Sequence, residues 1–585
     1  MKNTIKALAA VALLTGVTGC SSDYLDQPPY EQVPVENLAQ SIETFEAAVN
    51  GMCQTMYILW NPNSTERYGN GEGYIQSFYG DSPSPDFAYT WLWGTQAQYQ
   101  AWATMQRDDR SGGSYAWIYC YSLINQANTL LTKIDDVVAA ENTKDFLKAQ
   151  ILTMRAHAYI RLMQVYGPRF EDSENGNKLC VVLKLEPSTD NEELSDYKTV
   201  MAQIYDDLDE AIKLYESSNG RRSAGFQPNL NIAQGLYSRI ALINHDWAKA
   251  QEMANAGRQG YSIMSAEDYK KGFADPTSEW MWYNNRDRSN NGYYSWGASF
   301  TCNGGYASAY TWAGSGGQMS YDLYKQIFDK NNSDVRCELF WMPDKVNKYV
   351  NYNLDENIFW DPNYVQSAYL NMWLISPELT ESISLWLKHN TPAGFSDGFG
   401  IYVYDDEDEA SAGDPDFYNG IFSALKGAGY QAMVQFGAQI KFWSYAEDLG
   451  DCSHPFMRAS ELLLNEAEAA LEQGDESTAQ ACLEELNKNR MDEYTCTATG
   501  DALKDEIRLY RRMELWGEGD TWFSMKRWNV TASRKGWVAN DPTSGNFLKG
   551  AYEGTYPPSF ANGWTYQIPD IETDYNQIIN SQINQ

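Results

Sequence analysis

The chain has 585 residues and a formal net charge of −34 at pH 7, so it is long enough to bury a large core and is strongly acidic. This charge disfavours phosphate backbones and anionic headgroups, so no nucleic-acid partner is expected. Aromatic residues make up 14% of the chain, and many lie in polar, glycine-rich stretches, a mixture that suits the flat, hydroxyl-rich faces of sugars.

Residues 1–19 have the pattern of a secretory signal peptide. Lys2 and Lys6 precede a short apolar run, and small residues follow that run. The run ALAAVALL is far shorter than the ~20 residues that span a bilayer. Val17-Thr18-Gly19-Cys20 resembles the lipobox of bacterial lipoproteins, which implies that Cys20 is acylated and becomes the N-terminus. Residues 20–40 would then form a lipidated, proline-bearing tether. A plain secreted protein with a chance cysteine is the alternative.

Apolar residues recur at helical spacing through the first half of the chain. Stripes over 123–134 and 147–165 predict an antiparallel helix pair with its turn at Asn142-Thr143. Three more stripes predict helices over 200–215, 232–243 and 247–254, the last two joined by a turn at 244–246.

The helical pattern returns late in the chain, after residue 455. One helix is predicted to run to Gln473, a turn to lie at Gly474-Asp475, and a second helix to end at about Arg490. Alanines line the inner faces of these helices and allow close approach. Repeated helical hairpins of this kind resemble tetratricopeptide repeats.

Residues from about 261 to 454 are rich in Gly, Asn, Ser and aromatics, which predicts loops and turns. The acidic run 405–416 could bind calcium, but it lacks the EF-hand spacing, so a solvated loop is the preferred interpretation. The cysteines stand singly without a CxxC pair, which favours free buried thiols over disulfides for those other than Cys20. The four histidines have no zinc spacing, so neither a metal nor a cofactor is expected.

The segment ELWGEGDTWFSMKRW, which begins at Glu514, resembles the C-terminal signature of SusD/RagB-family outer-membrane lipoproteins. Thr521 and Ser524 stand where the family usually has Arg and Asp. Three further segments resemble family segments in the expected order, namely DYLDQPP, RAHAYIRLMQVYG and MRASELLLNEAEAAL. The resemblance therefore covers nearly the whole chain.

The signature also has a structural interpretation from its residues alone. Its Glu and Arg side chains on adjacent helical turns are expected to pair across the surface. Trp516, Trp522 and Trp528 are expected to cap a helical core, which makes the segment structural rather than ligand-binding.

The resemblance implies a mainly α fold, with a tetratricopeptide-like helical scaffold at about 41–260 and 455–530 and a loop-rich insert at about 261–454 in one domain, 41–585. It implies a non-catalytic protein, lipid-anchored on the outer face of the outer membrane. Such a protein captures oligosaccharide or polysaccharide and delivers it to a SusC-like TonB-dependent transporter. A peptide-binding RagB-like lipoprotein and, less favoured, a glycoside hydrolase are the alternatives.

Ligand stacking needs exposed aromatic rings on loops, and the sequence offers them in YTWLWGTQ, NNGYYSWG and SAYTWAGSGG. Family members use aromatics from comparable loops, and polar residues nearby are candidates for hydroxyl contacts. A core role that pins each loop is the alternative for every aromatic, and Trp280 and Trp282 are expected to pack internally. The candidate ligand-binding residues are Trp91, Trp93, Tyr293, Tyr294, Trp296, Tyr310 and Trp312, with Asp81, Gln96 and Asn303 for hydroxyl contacts.

Overall fold

The computed structural model is mainly α-helical, as the sequence predicts. It describes residues 35–58, 71–88, 105, 114–270, 272–273, 275–285, 318–341, 371–375, 401–404, 422–425, 431–435, 438–439, 441–442, 453–536, 545, 547 and 552–583. The described α-helices of seven residues or more are α1 (Ile42–Gln54), α2 (Ser114–Leu131), α3 (Glu141–Tyr166), α4 (Tyr197–Ser217), α5 (Leu230–Ile243), α6 (Trp247–Gly257), α7 (Tyr321–Lys330), α8 (Ala459–Glu472), α9 (Glu476–Asn487), α10 (Gly500–Glu514), α11 (Thr521–Arg527) and α12 (Gln577–Ile583).

Shorter helical turns lie between these helices. They are Val35–Gln40, Glu72–Tyr74, Ile75–Asp81, Ile134–Asp136, Phe170–Asp172, Ala266–Lys270, Val335–Glu338, Ala561–Trp564 and Asp570–Thr573. The segment Ile75–Asp81 is a π-helix, and it follows directly on Glu72–Tyr74.

The strands are short. They are β1 (Phe87–Ala88), β2 (Leu179–Val182), β3 (Leu194–Asp196), β4 (Trp280–Asn284), β5 (Gln318–Met319), β6 (Phe340–Trp341), β7 (Asn371–Ile375), β8 (Ile401–Tyr404), β9 (Phe422–Leu425), β10 (Gln431–Gln435), β11 (Ala438–Gln439), β12 (His454–Arg458), β13 (Ala532–Arg534) and β14 (Gly554–Tyr556). Four of them form a sheet in the order β7-β10-β9-β8, in which only β8 and β9 run parallel. The other described strands pair as two-stranded ribbons.

The helices form antiparallel hairpins, which confirms the helical-hairpin prediction. Helix α3 packs between α2 and α4, α5 packs on α6, and α8 packs on both α6 and α9. Ala250, Ala254 and Ala470 are completely buried at these contacts, so small side chains let the helices approach closely.

Polar residues mark the points between the paired helices where one helix ends and the next begins. Asp246 caps α6 by accepting the backbone N–H of Lys249, and Asp475 caps α9 by accepting that of Thr478. The turns predicted at 244–246 and 474–475 are therefore confirmed.

The predicted turn at Asn142-Thr143 is wrong. Helix α3 begins at Glu141, so both residues lie in its first turn, and the connection from α2 runs through the turn Ile134–Asp136. Asn and Thr favour helix beginnings as well as loops, because their side chains can accept hydrogen bonds from the backbone N–H groups that a first turn leaves unpaired.

The interval 261–454, predicted to be loop-rich, contains regular structure where the chain is described. Helix α7 forms because Leu323, Tyr324 and Ile327 make a buried stripe and Ser320 caps its first turn. The strands near the two ends of the interval, β4 and β12, pair antiparallel, so the chain leaves and re-enters the helical body at one place. Trp280 and Trp282 on β4 are buried, which confirms their predicted packing role.

Candidate functional site

Most of the predicted ligand-binding residues lie outside the described residues, in two segments that flank described structure. The first segment, 89–104, follows β1, and the second, 286–317, precedes β5. They hold Trp91, Trp93 and Gln96, and Tyr293, Tyr294, Trp296, Asn303, Tyr310 and Trp312. Cys20, Cys302, Cys452 and the acidic run 405–416 also lie outside the described residues.

The two aromatic segments share one attachment point on the described fold. Strands β1 and β5 pair antiparallel, with Phe87 opposite Met319 and Ala88 opposite Gln318. Partner Cα atoms across an antiparallel pair are about 5 Å apart. The residue that leads into the first aromatic segment therefore lies beside the residue that receives the second. We call this β1–β5 pair the aromatic-loop ribbon.

The base of the aromatic-loop ribbon rests on Trp516 from the C-terminal signature. The indole Nε1–H of Trp516 donates to the backbone oxygen of Asp86 at 2.8 Å. Its ring stacks on Phe87, with centroids 4.8 Å apart, and meets the edge of Phe340 at 4.9 Å. The predicted core role of Trp516 is confirmed, and it extends to fixing the strand from which an aromatic segment leaves.

Two arginines hold the chain just before β1. The guanidinium of Arg512 forms a two-point ion pair with the buried carboxylate of Asp86. Arg534 donates to the backbone oxygens of Ser82 at 3.0 Å and Ser84 at 3.3 Å. Burial lowers the pKa of Arg534 to about 9.

Asp81 lies in the interior, so the structure gives it a supporting role in place of the predicted hydroxyl contact. Its side chain is 1% exposed and accepts the backbone N–H of Gly519 at 2.9 Å. Burial raises the pKa of Asp81, although the bond from Gly519 opposes this. The carboxylate of Asp81 is therefore not presented to a ligand at the surface.

The contact between Asp81 and Gly519 depends on a close approach of two glycines. A Cβ at Gly80 would lie 2.3 Å from the backbone oxygen of Gly519. Gly519 itself has a φ of +76°, which favours glycine, and faces Gln76. Gly519 thus lets the turn between α10 and α11, which we call the signature turn, pack against the segment that leads to β1.

A cluster of buried charges lies around Glu514 at the start of the signature. Its carboxylate accepts from Arg490 at 2.9 Å, from Arg458 at 3.0 Å and from Arg336 at 3.3 Å. All four side chains are completely buried. Burial acts to raise the pKa of Glu514, but the arginines, Arg490 and Arg458 foremost, hold it well below its usual range.

The surface pairing predicted for the signature is therefore wrong, because its charged groups pair in the interior. Glu514 pairs with arginines from three other segments, while Arg511 pairs with Asp520 and Arg527 with Glu468. Charges in a low-dielectric interior need such partners, and only the folded chain assembles them.

Lys441 links this cluster to the signature turn. Its ammonium donates to the backbone oxygens of Glu514 at 2.9 Å and Trp516 at 2.7 Å, and to the Glu518 carboxylate at 2.7 Å. Burial lowers the pKa of Lys441 to about 8, and Glu518 opposes this. The signature therefore forms a base beneath the aromatic-loop ribbon that hydrogen bonds and ion pairs hold together.

The described residues offer no metal-binding group of three or more His, Cys, Asp or Glu side chains. The six cysteines within the described ranges are buried free thiols, as predicted: Cys53, Cys120, Cys180, Cys337, Cys482 and Cys496. Burial raises the pKa of the Cys53 thiol to about 12, which disfavours the nucleophilic thiolate form at neutral pH. No helix in the described part of the chain is both long and apolar enough to cross a membrane.

Two family models match this chain. One, described as the SusD family, matches residues 264–585, and the other, described as "Starch-binding associating with outer membrane", matches residues 23–242. A search of curated protein sequences gives no match.

Several solved structures share the fold. A SusD-like carbohydrate binding protein from Bacteroides vulgatus is 19% identical, with a TM-score of 0.64 over 92% of this chain and 98% of its own. A SusD superfamily protein from Bacteroides thetaiotaomicron is 18% identical, with a TM-score of 0.60 over 92% and 99%. Surface glycan-binding protein A from the same organism, solved in complex with laminarihexaose, is 14% identical, with a TM-score of 0.57 over 92% and 98%.

Proposed function

Since the chain belongs to the SusD family, we propose that it is a cell-surface glycan-binding lipoprotein that captures oligosaccharide and delivers it to a SusC-like TonB-dependent outer-membrane transporter. Proteins of this family generally bind ligands and do not catalyse reactions. The proposed role is accordingly non-catalytic and needs no cofactor. Cys20 would carry the lipid anchor, and the residues between it and Val35 would tether the body to the membrane. The predicted tether bound at residue 40 is wrong, because Val35–Gln40 forms a helical turn whose Leu38 is buried in the core.

The observation that carries the glycan-binding proposal is the aromatic-loop ribbon, which joins the two aromatic segments. Trp91 follows Ala88 by three residues, so covalent geometry keeps it within about 11 Å of that strand end. Trp312 precedes Gln318 by six residues and stays within about 21 Å of it. Because Ala88 and Gln318 are partners, rings from both segments can reach one ligand.

The rigid base beneath the aromatic-loop ribbon supports the same proposal. Trp516, Arg512 and Arg534 fix the chain that leads into β1 by contacts to its backbone or to Asp86. Fixed attachment points lower the conformational entropy that ligand binding costs. This arrangement is suited to presenting stacking rings to a sugar face.

The net charge supports a neutral glycan over an acidic one. At −34, the protein repels polyanions, and screening at physiological salt reduces but does not remove this repulsion near the surface. One relative of similar fold is solved with laminarihexaose, a neutral oligosaccharide. We therefore propose neutral plant, host or microbial glycans as the ligand class.

Titration calorimetry of the mature protein against glycan and peptide panels tests the proposal. We expect saturable binding of at least one neutral oligosaccharide, with no product released on long incubation. Binding of peptides alone would support the RagB-like alternative, and sugar release by purified protein would support a hydrolase. Mild detergent extraction should recover the protein together with a large β-barrel transporter, and repeated recovery as a lone monomer would contradict the delivery role.

A further inference from the structure

A cavity of about 260 Å³ lies on the side of α2, away from any residue of the aromatic-loop ribbon or its base. Helix α2 supplies one wall, the segment 182–188 supplies a second, and the short helix Asp570–Thr573 near the C-terminus supplies a third. Cavities of a few hundred Å³ that combine apolar walls with a few polar groups are typical small-molecule sites.

Hydrogen bonds fix the wall formed by residues 182–188 against α2. The Tyr121 hydroxyl donates to the backbone oxygen of Val182 and accepts its N–H, both at 2.8 Å. The Asn128 amide donates to the backbone oxygens of Lys184 at 3.1 Å and Glu186 at 3.3 Å. This wall is therefore held in place without a ligand.

The wall from the C-terminal helix is fixed in the same way. The indole Nε1–H of Trp117 donates to the Glu572 carboxylate at 3.1 Å, and the Asn576 amide donates to the other Glu572 oxygen at 2.9 Å. Ile571, beside Glu572, adds an apolar surface to the cavity. The cavity is thus pre-formed on three sides, which reduces the entropic cost of binding.

Two polar side chains of the lining have no partner within the described part of the chain. The Asn125 amide and the Glu186 carboxylate are exposed, and neither side chain makes a hydrogen bond or ion pair there. Deeper in the cavity, Ile124 and Val182 are buried and apolar. An amide and a carboxylate beside an apolar wall match a ring that has a C–H face and a hydroxyl edge.

The charges of the lining select against anions. Glu186 and Glu572 contribute two carboxylates, and the single cation, Lys184, already donates to the backbone oxygen of Asp190 at 2.9 Å. We propose that this cavity is a second binding site, separate from the aromatic segments, that takes one neutral sugar ring. It does not depend on the glycan specificity proposed for the aromatic-loop ribbon.

Saturation-transfer NMR with D-glucose, D-galactose, D-mannose and N-acetylglucosamine, each as a free monosaccharide, tests the site on the mature protein. We expect at least one sugar to receive saturation from the wild type. Ser188→Trp should fill the cavity and remove the part of this signal that arises there, and Asn125→Ala should weaken binding at the cavity about five- to tenfold because it deletes hydrogen bonds to a hydroxyl. Gln126→Ala, one position along the same helix, is the matched control and should bind as the wild type does.

Trp312→Ala separates this site from the one in the proposed function, because a monosaccharide signal should persist in Trp312→Ala and be lost when Ser188→Trp is added to it. The proposal is overturned if no sugar on the panel binds, or if Ser188→Trp and Asn125→Ala bind as well as the wild type. Loss of the monosaccharide signal in Trp312→Ala would also overturn it, since the sugar would then occupy the aromatic segments. Circular dichroism of each variant confirms that it is folded.

Discussion

Replacing Trp516 by alanine should destabilise the protein and weaken glycan binding together. Deleting a buried Trp ring costs about 3–5 kcal/mol. This range already includes the energy of the stacking on Phe87 and of the edge contact with Phe340, because the cost of deleting a ring counts all of its contacts. The orphaned backbone oxygen of Asp86 places the expected loss near the upper end, at about 4–5 kcal/mol of unfolding free energy.

The milder variant Trp516→Phe keeps a ring and removes the indole hydrogen bond. We expect it to cost about 1–2 kcal/mol and to leave the fold intact, so that affinity can be measured on a folded protein. Urea unfolding followed by circular dichroism gives the stability, and calorimetry with the best oligosaccharide gives the affinity. A parallel loss in both is expected, because Asp86 directly precedes β1.

Trp522→Ala is the matched control for this experiment. Trp522 is as buried as Trp516, but its ring stacks on Trp564 with centroids 4.2 Å apart, whereas the ring of Trp516 stacks on Phe87 of β1. It should lower stability by a similar amount and leave affinity unchanged at temperatures where the protein stays folded. Equal effects of Trp516→Phe and Trp522→Ala on affinity would refute the proposed support role of Trp516.

Three further changes test other parts of the account. Gly80→Ala should destabilise by about 2 kcal/mol or more, since its Cβ would strike the backbone of Gly519, whereas Gly51→Ala has open space and should be neutral or stabilising in urea unfolding. Burial lowers the pKa of His454 from 6.5 to about 3, so the unfolded chain binds more protons and stability should fall as pH drops through that window. His454→Gln should flatten the slope there by up to about 1.4 kcal/mol per pH unit, and an unchanged slope in a pH series would contradict this. Cys20→Ser should abolish incorporation of a labelled fatty acid, and an equally labelled variant would exclude Cys20 as the anchor.

The helical hairpins could be predicted from the sequence because their signals are local. The stripe over 232–243, the turn at 244–246 and the helix from Trp247 follow one another within a few residues. Burial of Trp280 and Trp282 was predictable for the same reason, since both stand on one face of a short apolar stretch. The turn at Asn142-Thr143 failed because the same residues also favour helix beginnings.

The aromatic-loop ribbon and the charge cluster could not be predicted, because both depend on contacts between distant segments. A two-residue strand has no periodicity to detect, and nothing near Ala88 indicates that it pairs with Gln318. Arg336, Arg458 and Glu514 belong to separate segments, and a periodicity pattern records apolar faces but not buried ion pairs. The supporting role of Asp81 could not be predicted for the same reason, because it depends on a contact with the distant Gly519.

The most direct test of the central claim measures glycan affinity and melting temperature on the same single variant, Trp312→Ala. We expect binding to weaken by about 1–3 kcal/mol, as for truncation of an anchor residue, with the melting temperature unchanged. Trp280→Ala, a buried Trp outside the aromatic segments, should instead lower the melting temperature. If Trp312→Ala binds glycan as the wild type does, or loses affinity only as its melting temperature falls, the aromatic segments do not form the ligand site.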